Sequence, residues 1–145
     1  MSTTKSLFHI VINTKNRQMT IPEQHKRELY AYIYGIIRNL NCTLIRMNGI
    51  GNHIHMLIDL NVEISLSQFV REIKRGSSIW LKSNELFPDF AGWGKEYYAF
   101  SCSVDRKDAL VSYIKNQESH HQVVNFHDEM AEIARVNDSR FYTYD

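Results

Sequence analysis

The chain is poor in everything that interrupts, staples or floats a fold. Two prolines and six glycines in 145 residues exclude a collagen-like or linker-rich architecture. Two cysteines, Cys42 and Cys102, stand far apart with no CxxC pair. A zinc ribbon is therefore excluded, and both thiols read as buried and reduced in a cytoplasmic protein, with a disulfide between them as the minor alternative. The longest early apolar run, Ile10-Val11-Ile12 beside Leu7 and Phe8, is too short for a membrane span or a signal peptide. Excess charge is missing as well. Seventeen basic residues face sixteen acidic ones for a formal net charge of +1, so a nucleic-acid partner must be argued from the arrangement of charge, not its sum. No P-loop or GxGxxG is present, and no nucleotide cofactor is expected.

What remains is ordinary for one compact domain spanning residues 1–145, with 43% hydrophobic and 23% charged residues. Leu7 to Asn13 reads as a first strand. Thr20-Ile21-Pro22-Glu23 opens a helix in which Leu29, Ile33, Ile36, Ile37 and Leu40 recur at helical spacing. Cys42 to Met47 reads as a second strand, Asn48 to Gly51 as a turn, and residues 52–60 as a returning strand. Ser65 or Ser67 caps a second helix whose apolar face holds Leu66, Phe69, Val70, Ile73, Trp80 and Leu81. After a loop through Gly92 and Gly94, Tyr97 to Ser103 forms a fourth strand, and Asp105 caps a third helix over 106–124. The first six elements predict an α+β, ferredoxin-like β-α-β-β-α-β antiparallel sheet with two helices on one face, followed by a third helix. The last twenty residues or so, with Met130 to Ile133 and Phe141-Tyr142, read as a short helix and tail.

Chemistry concentrates in Asn52-His53-Ile54-His55-Met56-Leu57-Ile58. On a strand, His53 and His55 share a face about 6–7 Å apart, and such a pair can converge on a divalent ion. Two exposed or core-edge histidines are the plain alternative. Imidazoles alone hold Mg²⁺ or Mn²⁺ poorly, so a third ligand is required. Gln117 can offer an amide oxygen. Tyr113 lies four residues before it, on the same helix face. Most of the eight tyrosines must be packing residues. A phenol one turn from a metal ligand, however, is a candidate nucleophile toward phosphodiesters. His120 and His121 follow and are able to assist.

Arg71, Lys74, Arg75, Ser78 and Lys82 recur at i, i+3, i+4, i+7 and i+11 along the second helix. A solvated helix surface explains such a stripe, yet no acid interrupts these positions, which suits a phosphate backbone. Lys15 and Arg17, just after the first strand, extend it if their loop lies nearby.

Three blocks in order then resemble the single-tyrosine HUH transposases of the smallest bacterial insertion sequences, the IS200-like family. His53-Ile54-His55 resembles its paired-histidine motif, and Ile73-Lys74-Arg75-Gly76-Ser77-Ser78 its basic helix segment. Trp93, Ala99-Phe100-Ser101 and Tyr113-Ile114-Lys115-Asn116-Gln117 resemble its strand and tyrosine helix. The resemblance implies a DNA transposase in which Tyr113 cuts single-stranded DNA to give a 5′-phosphotyrosine. It implies that His53, His55 and Gln117 hold Mg²⁺ or Mn²⁺, that the substrates are hairpins at element ends, and that the protein works as a homodimer in which one subunit's tyrosine helix often completes the other's site. The chain departs from the family at Asn52, where an acid often precedes the first histidine, and at Glu96, where a small residue is common. Gln117 favours the insertion-sequence branch over the repeat-associated one. The rivals are a non-catalytic nucleic-acid-binding module of the same fold, reading bases on Phe8, Tyr97 and Phe100, and an inactive domesticated relative.

Overall fold

The computed structural model describes residues 2–117. Four antiparallel strands form one sheet: β1 (Leu7–Thr14), β2 (Thr43–Ile50), β3 (His53–Asp59) and β4 (Trp93–Cys102). Their spatial order is β2-β3-β1-β4. Three α-helices connect and cover them: α1 (Lys26–Asn39), α2 (Leu66–Lys82) and α3 (Lys107–Lys115). This is the ferredoxin-like α+β plan, with the two central strands carrying the continuous apolar runs.

Period-2 alternation divides β1 and β3 between two faces. Ile10 and Ile12 of β1, with Ile54, Met56 and Ile58 of β3, join Leu29, Ile33 and Ile37 of α1 and Phe69, Val70, Ile73 and Leu81 of α2 in the main core. All five strand residues are fully buried, and each such burial contributes about 1.5–3 kcal/mol. The helices approach closely because α2 carries Gly76 at the crossing. A Cβ there would stand 2.9 Å from Ile36 Cδ1. Ser65 caps α2 by accepting the Gln68 N–H at 3.1 Å.

The opposite face is covered by α3. Leu7, Leu57 and Ile114 form a second, smaller core there, with Ile45, Leu110, Val111 and Tyr113 packed around it. Leu57 thus lies on the histidine face. The helix is tied to the sheet edge where Asn48 Nδ2 donates to the Lys115 carbonyl at 3.0 Å.

Several boundaries differ from expectation. β2 runs on to Ile50, so the hairpin turns at Gly51-Asn52. Gly49 then sits in the strand, where a Cβ would overlap the His53 carbonyl oxygen. β4 begins at Trp93 instead of Tyr97, because Thr14 pairs with Trp93 across a register shift after Ile12. Asp105 lies inside a 3-10 turn, Val104–Arg106, with Ser103 at its N-cap. α3 ends at Lys115 and Asn116 makes a turn before Gln117. The expected continuation to 124, His120, His121 and the C-terminal helix and tail lie outside the described residues. Both cysteines are free thiols, and burial pushes the Cys42 thiol above its ordinary value. Among the described residues, no helix is long and apolar enough to cross a membrane.

Candidate active site

β3 presents His53 and His55 on the α3 face, both fully buried. Their rings are 5.1 Å apart, centroid to centroid, and inclined at 68°. The pair is held from both sides by cross-strand partners. Val11 and Asn48 stand opposite His55, and Asn13 and Ile50 stand opposite His53.

Each histidine has its Nδ1 engaged. His53 Nδ1 lies 2.7 Å from Asn52 Oδ1, an acceptor, so His53 carries its proton on Nδ1 in this contact. Asn52 therefore orients the ring as an acid at that position would. His55 Nδ1 lies 2.8 Å from Nε2 of His9, a β1 residue that is itself only 3% exposed. The two rings meet end to end, their centroids 5.0 Å apart and their planes inclined at 25°. Sequence reasoning missed His9. The available signal was its place in the alternation Leu7, His9, Val11, on a strand that the predicted topology sets beside the histidine strand.

α3 brings Tyr113 onto this cluster. Its ring lies edge-on to His55 at 5.9 Å and to His9 at 6.2 Å. The apolar flank formed by Leu110, Val111 and Ile114 seats the helix on Leu7 and Leu57, and this seating delivers the half-buried tyrosine to the histidines. Gln117, one turn later, is fully buried, with Nε2 donating to the Tyr113 carbonyl at 3.4 Å. The structure thus joins His53, His55 and Tyr113 within one chain, with Gln117 two residues beyond the end of the same short helix.

The donor chemistry suits a divalent cation. With Nδ1 engaged on both rings, Nε2 is the ligand atom each histidine has to offer, the usual outcome of outer hydrogen bonding at metal sites. The Gln117 amide nitrogen is committed to a backbone carbonyl, and Oε1 is its atom of ligand character. Among the described residues, no group of three or more His, Cys, Asp or Glu side chains is arranged around an ion. The neutral donors that the described residues offer here are two imidazoles and an amide, a set that by itself leaves positions open for other oxygens.

The predicted basic stripe lies elsewhere. Lys15, Arg71, Lys74, Arg75, Ser78 and Lys82 do converge on one groove of about 720 Å³. Lys95 and Trp93, which sequence reasoning did not assign to nucleic acid, also line it, as does Tyr97. The residues differ in what they can offer. Lys74 Nζ donates to the Gly94 and Glu96 carbonyls at 2.9 and 3.0 Å, and desolvation holds its pKa below the ordinary lysine value. It braces the start of β4. Arg75 is paired with Glu72 at 3.1 Å, whereas among the described residues no carboxylate pairs with Arg71 or Lys82. Arg17 lines a smaller recess of about 440 Å³ with Asn13, Asn16, Gly94, Lys95, Glu96 and Tyr98. Asn16, Gly94 and Lys95 border both spaces.

The aromatics that a base-stacking module would need are largely occupied. Phe8 and Tyr97 pack against the helix-covered core, and Phe100 lies 6.5 Å from His9.

Comparison with known proteins gives a consistent picture. The family model described as "Transposase IS200 like" matches residues 2–117. A structure of a putative transposase from Deinococcus radiodurans R1 is similar at a TM-score of 0.60 and 20% identity, covering 80% of this chain and 93% of that one. A REP-associated tyrosine transposase, solved bound to a REP hairpin, is similar at a TM-score of 0.65 and 17% identity, covering 90% of this chain and 83% of the other. Among curated proteins, none matches.

Proposed function

Because the chain belongs to the IS200-like transposase family, we propose that it cuts and rejoins single-stranded DNA with Tyr113 as the nucleophile. The observation that carries this reading is the edge-on placement of Tyr113 on His55 at 5.9 Å, where His55 is one of a buried histidine pair. The Tyr113 phenol gives up its proton and its Oη forms a bond to phosphorus. The bond from phosphorus to the 3′ oxygen breaks, and that oxygen leaves as a 3′-OH after taking up a proton. The product is a 5′-phosphotyrosine. Attack by another 3′-OH runs the exchange in reverse, so each phosphoester is replaced by another and no nucleotide is consumed.

In this reading His53 and His55, through Nε2, and Gln117, through Oε1, would hold Mg²⁺ or Mn²⁺. When bound, that ion supplies positive charge to the scissile phosphate. Asn52 keeps the His53 ring in the ligating tautomer. The buried floor of Leu7, Leu57 and Ile114 keeps α3 rigid, so the phenol is positioned before DNA arrives.

The α2 groove would take the DNA backbone through Lys15, Arg71, Arg75, Ser78, Lys82 and Lys95, with Arg17 in the adjoining recess. The hairpin-bound neighbour supports a structured substrate, and two copies of the chain would act together. The test is a denaturing gel of purified protein with Mg²⁺ or Mn²⁺ and hairpin-bearing single-stranded DNA. A covalent adduct that disappears in Tyr113→Phe is the expected result. An adduct that survives the substitution reassigns the nucleophile, and light scattering checks the dimer.

A further inference from the structure

His9 belongs to no motif that carried the functional reading, yet it makes a short side-chain contact within the buried histidine cluster. Its Nε2 lies 2.8 Å from His55 Nδ1, the two rings meet end to end with centroids 5.0 Å apart and planes inclined at 25°, and His9 is 3% exposed. A hydrogen bond between two imidazole nitrogens contains a single proton, and where that proton sits decides what His55 can do. With the proton on His9 Nε2, His55 accepts it at Nδ1. Its own hydrogen then occupies Nε2, and it cannot ligate a cation in its neutral form. With the proton on His55 Nδ1, Nε2 carries the lone pair. At His53 the neighbouring acceptor Asn52 Oδ1, 2.7 Å away, imposes this second arrangement.

We propose that His9 is a positioning residue for the metal ligand His55. It accepts the His55 Nδ1–H at its Nε2, keeps its own proton on Nδ1, and so holds the His55 Nε2 lone pair toward the ion. The strand pairing explains why β1 supplies it. Leu57 stands opposite His9 and Val11 opposite His55, which sets the two histidines diagonally across adjacent strands on one face, within reach of each other's rings. The two ligands thereby receive their orienting acceptors from different sources, His53 from its own strand turn and His55 from the neighbouring strand.

This role for His9 rests on the metal-site reading of His53 and His55, and the experiment separates the two. Mn²⁺ affinity is measured by calorimetry on the full chain for the wild type, His55→Ala, His9→Leu and His9→Gln. Imidazole ¹⁵N spectra are recorded with saturating Mg²⁺ for the wild type and His9→Gln. The expected result is that His9→Leu weakens Mn²⁺ binding roughly 10- to 100-fold, as loss of an orienting partner does. His9→Gln, whose Oε1 can replace the Nε2 acceptor, should restore most of the affinity. The spectra should show His55 protonated at Nδ1 in both proteins. Wild-type affinity in His9→Leu overturns the positioning role alone, as do a proton on His55 Nε2 or a folded His9→Gln that fails to restore binding. If the wild type binds Mn²⁺ no better than His55→Ala, the metal reading falls and takes the role of His9 with it. If His9→Leu does not fold, the tautomer and the His9→Gln affinity decide.

Discussion

The two faces of β3 are equally buried and chemically opposite. Ile54, Met56 and Ile58 on one side and His53, His55 and Leu57 on the other all have 0% exposure. What differs is the cover. Two long helices close an apolar face, which is stabilised by the area it removes from water. Among the described residues the other face is covered by the short α3, whose Leu110, Val111 and Ile114 pack over Leu7 and Leu57 and which also brings Tyr113, with Gln117 just beyond its end. The hydrophobic effect cannot offset the burial of imidazoles there. Hydrogen bonds to Asn52 and His9 do so, since a buried imidazole without partners would cost about 1–3 kcal/mol. One strand thus anchors the fold with its even positions and holds the chemistry with two of its odd ones.

The largest expected break in this symmetry is at Tyr113. Tyr113→Phe should remove all detectable covalent adduct while leaving the melting temperature and hairpin affinity close to wild type, checked by gel, thermal unfolding and a filter-binding titration. Large loss of stability would instead make the tyrosine a packing residue. On the apolar face the order reverses. Ile54→Ala should cost about 2–5 kcal/mol of unfolding free energy, measured in urea, although it touches no proposed catalytic group.

The α2 groove sharpens the contrast further. Arg71→Ala with Lys82→Ala should weaken DNA binding and make the slope of log affinity against log salt shallower. The change should be about 0.7 for each single-stranded phosphate that is no longer neutralised. An unchanged slope would take the DNA backbone out of this groove. The smallest effect is expected at Lys74, where Lys74→Met should cost about 1 kcal/mol of stability by leaving the Gly94 and Glu96 carbonyls without their donor. Its pH dependence has a definite sign. The Lys74 pKa is lowered in the folded protein, so between the folded and the ordinary value the unfolded chain holds more proton. Wild-type stability should therefore rise with pH in that alkaline window relative to Lys74→Met.

Much of this architecture was legible from residue order alone, and the reasons are local. The apolar alternation of residues 7–13 and 53–58 and the helical spacing of Leu29, Ile33 and Ile37 each reflect a repeat of two or 3.6 residues. The boundaries that moved were set by pairing. Trp93 joins β4 because Thr14 is available opposite it, and Gly49 is a strand residue because β3 leaves no room for a side chain there. Within the basic stripe, charge and spacing could not distinguish Arg71 from Lys74, because the carbonyls that capture Lys74 come from β4, 20 and 22 residues away along the chain.

By itself, the sequence determined that His53 and His55 share a face, that Tyr113 and Gln117 lie one helical turn apart, and that a row of basic residues suited to a polyanion lines α2. These follow from the periods of strand and helix and need no partner. Tertiary structure alone decided that α3 packs on the histidine face. It also made His9, forty-six residues from His55, the other half of that ligand's hydrogen bond. Contacts of that kind depend on strand order and register, and no repeat within a single segment encodes them.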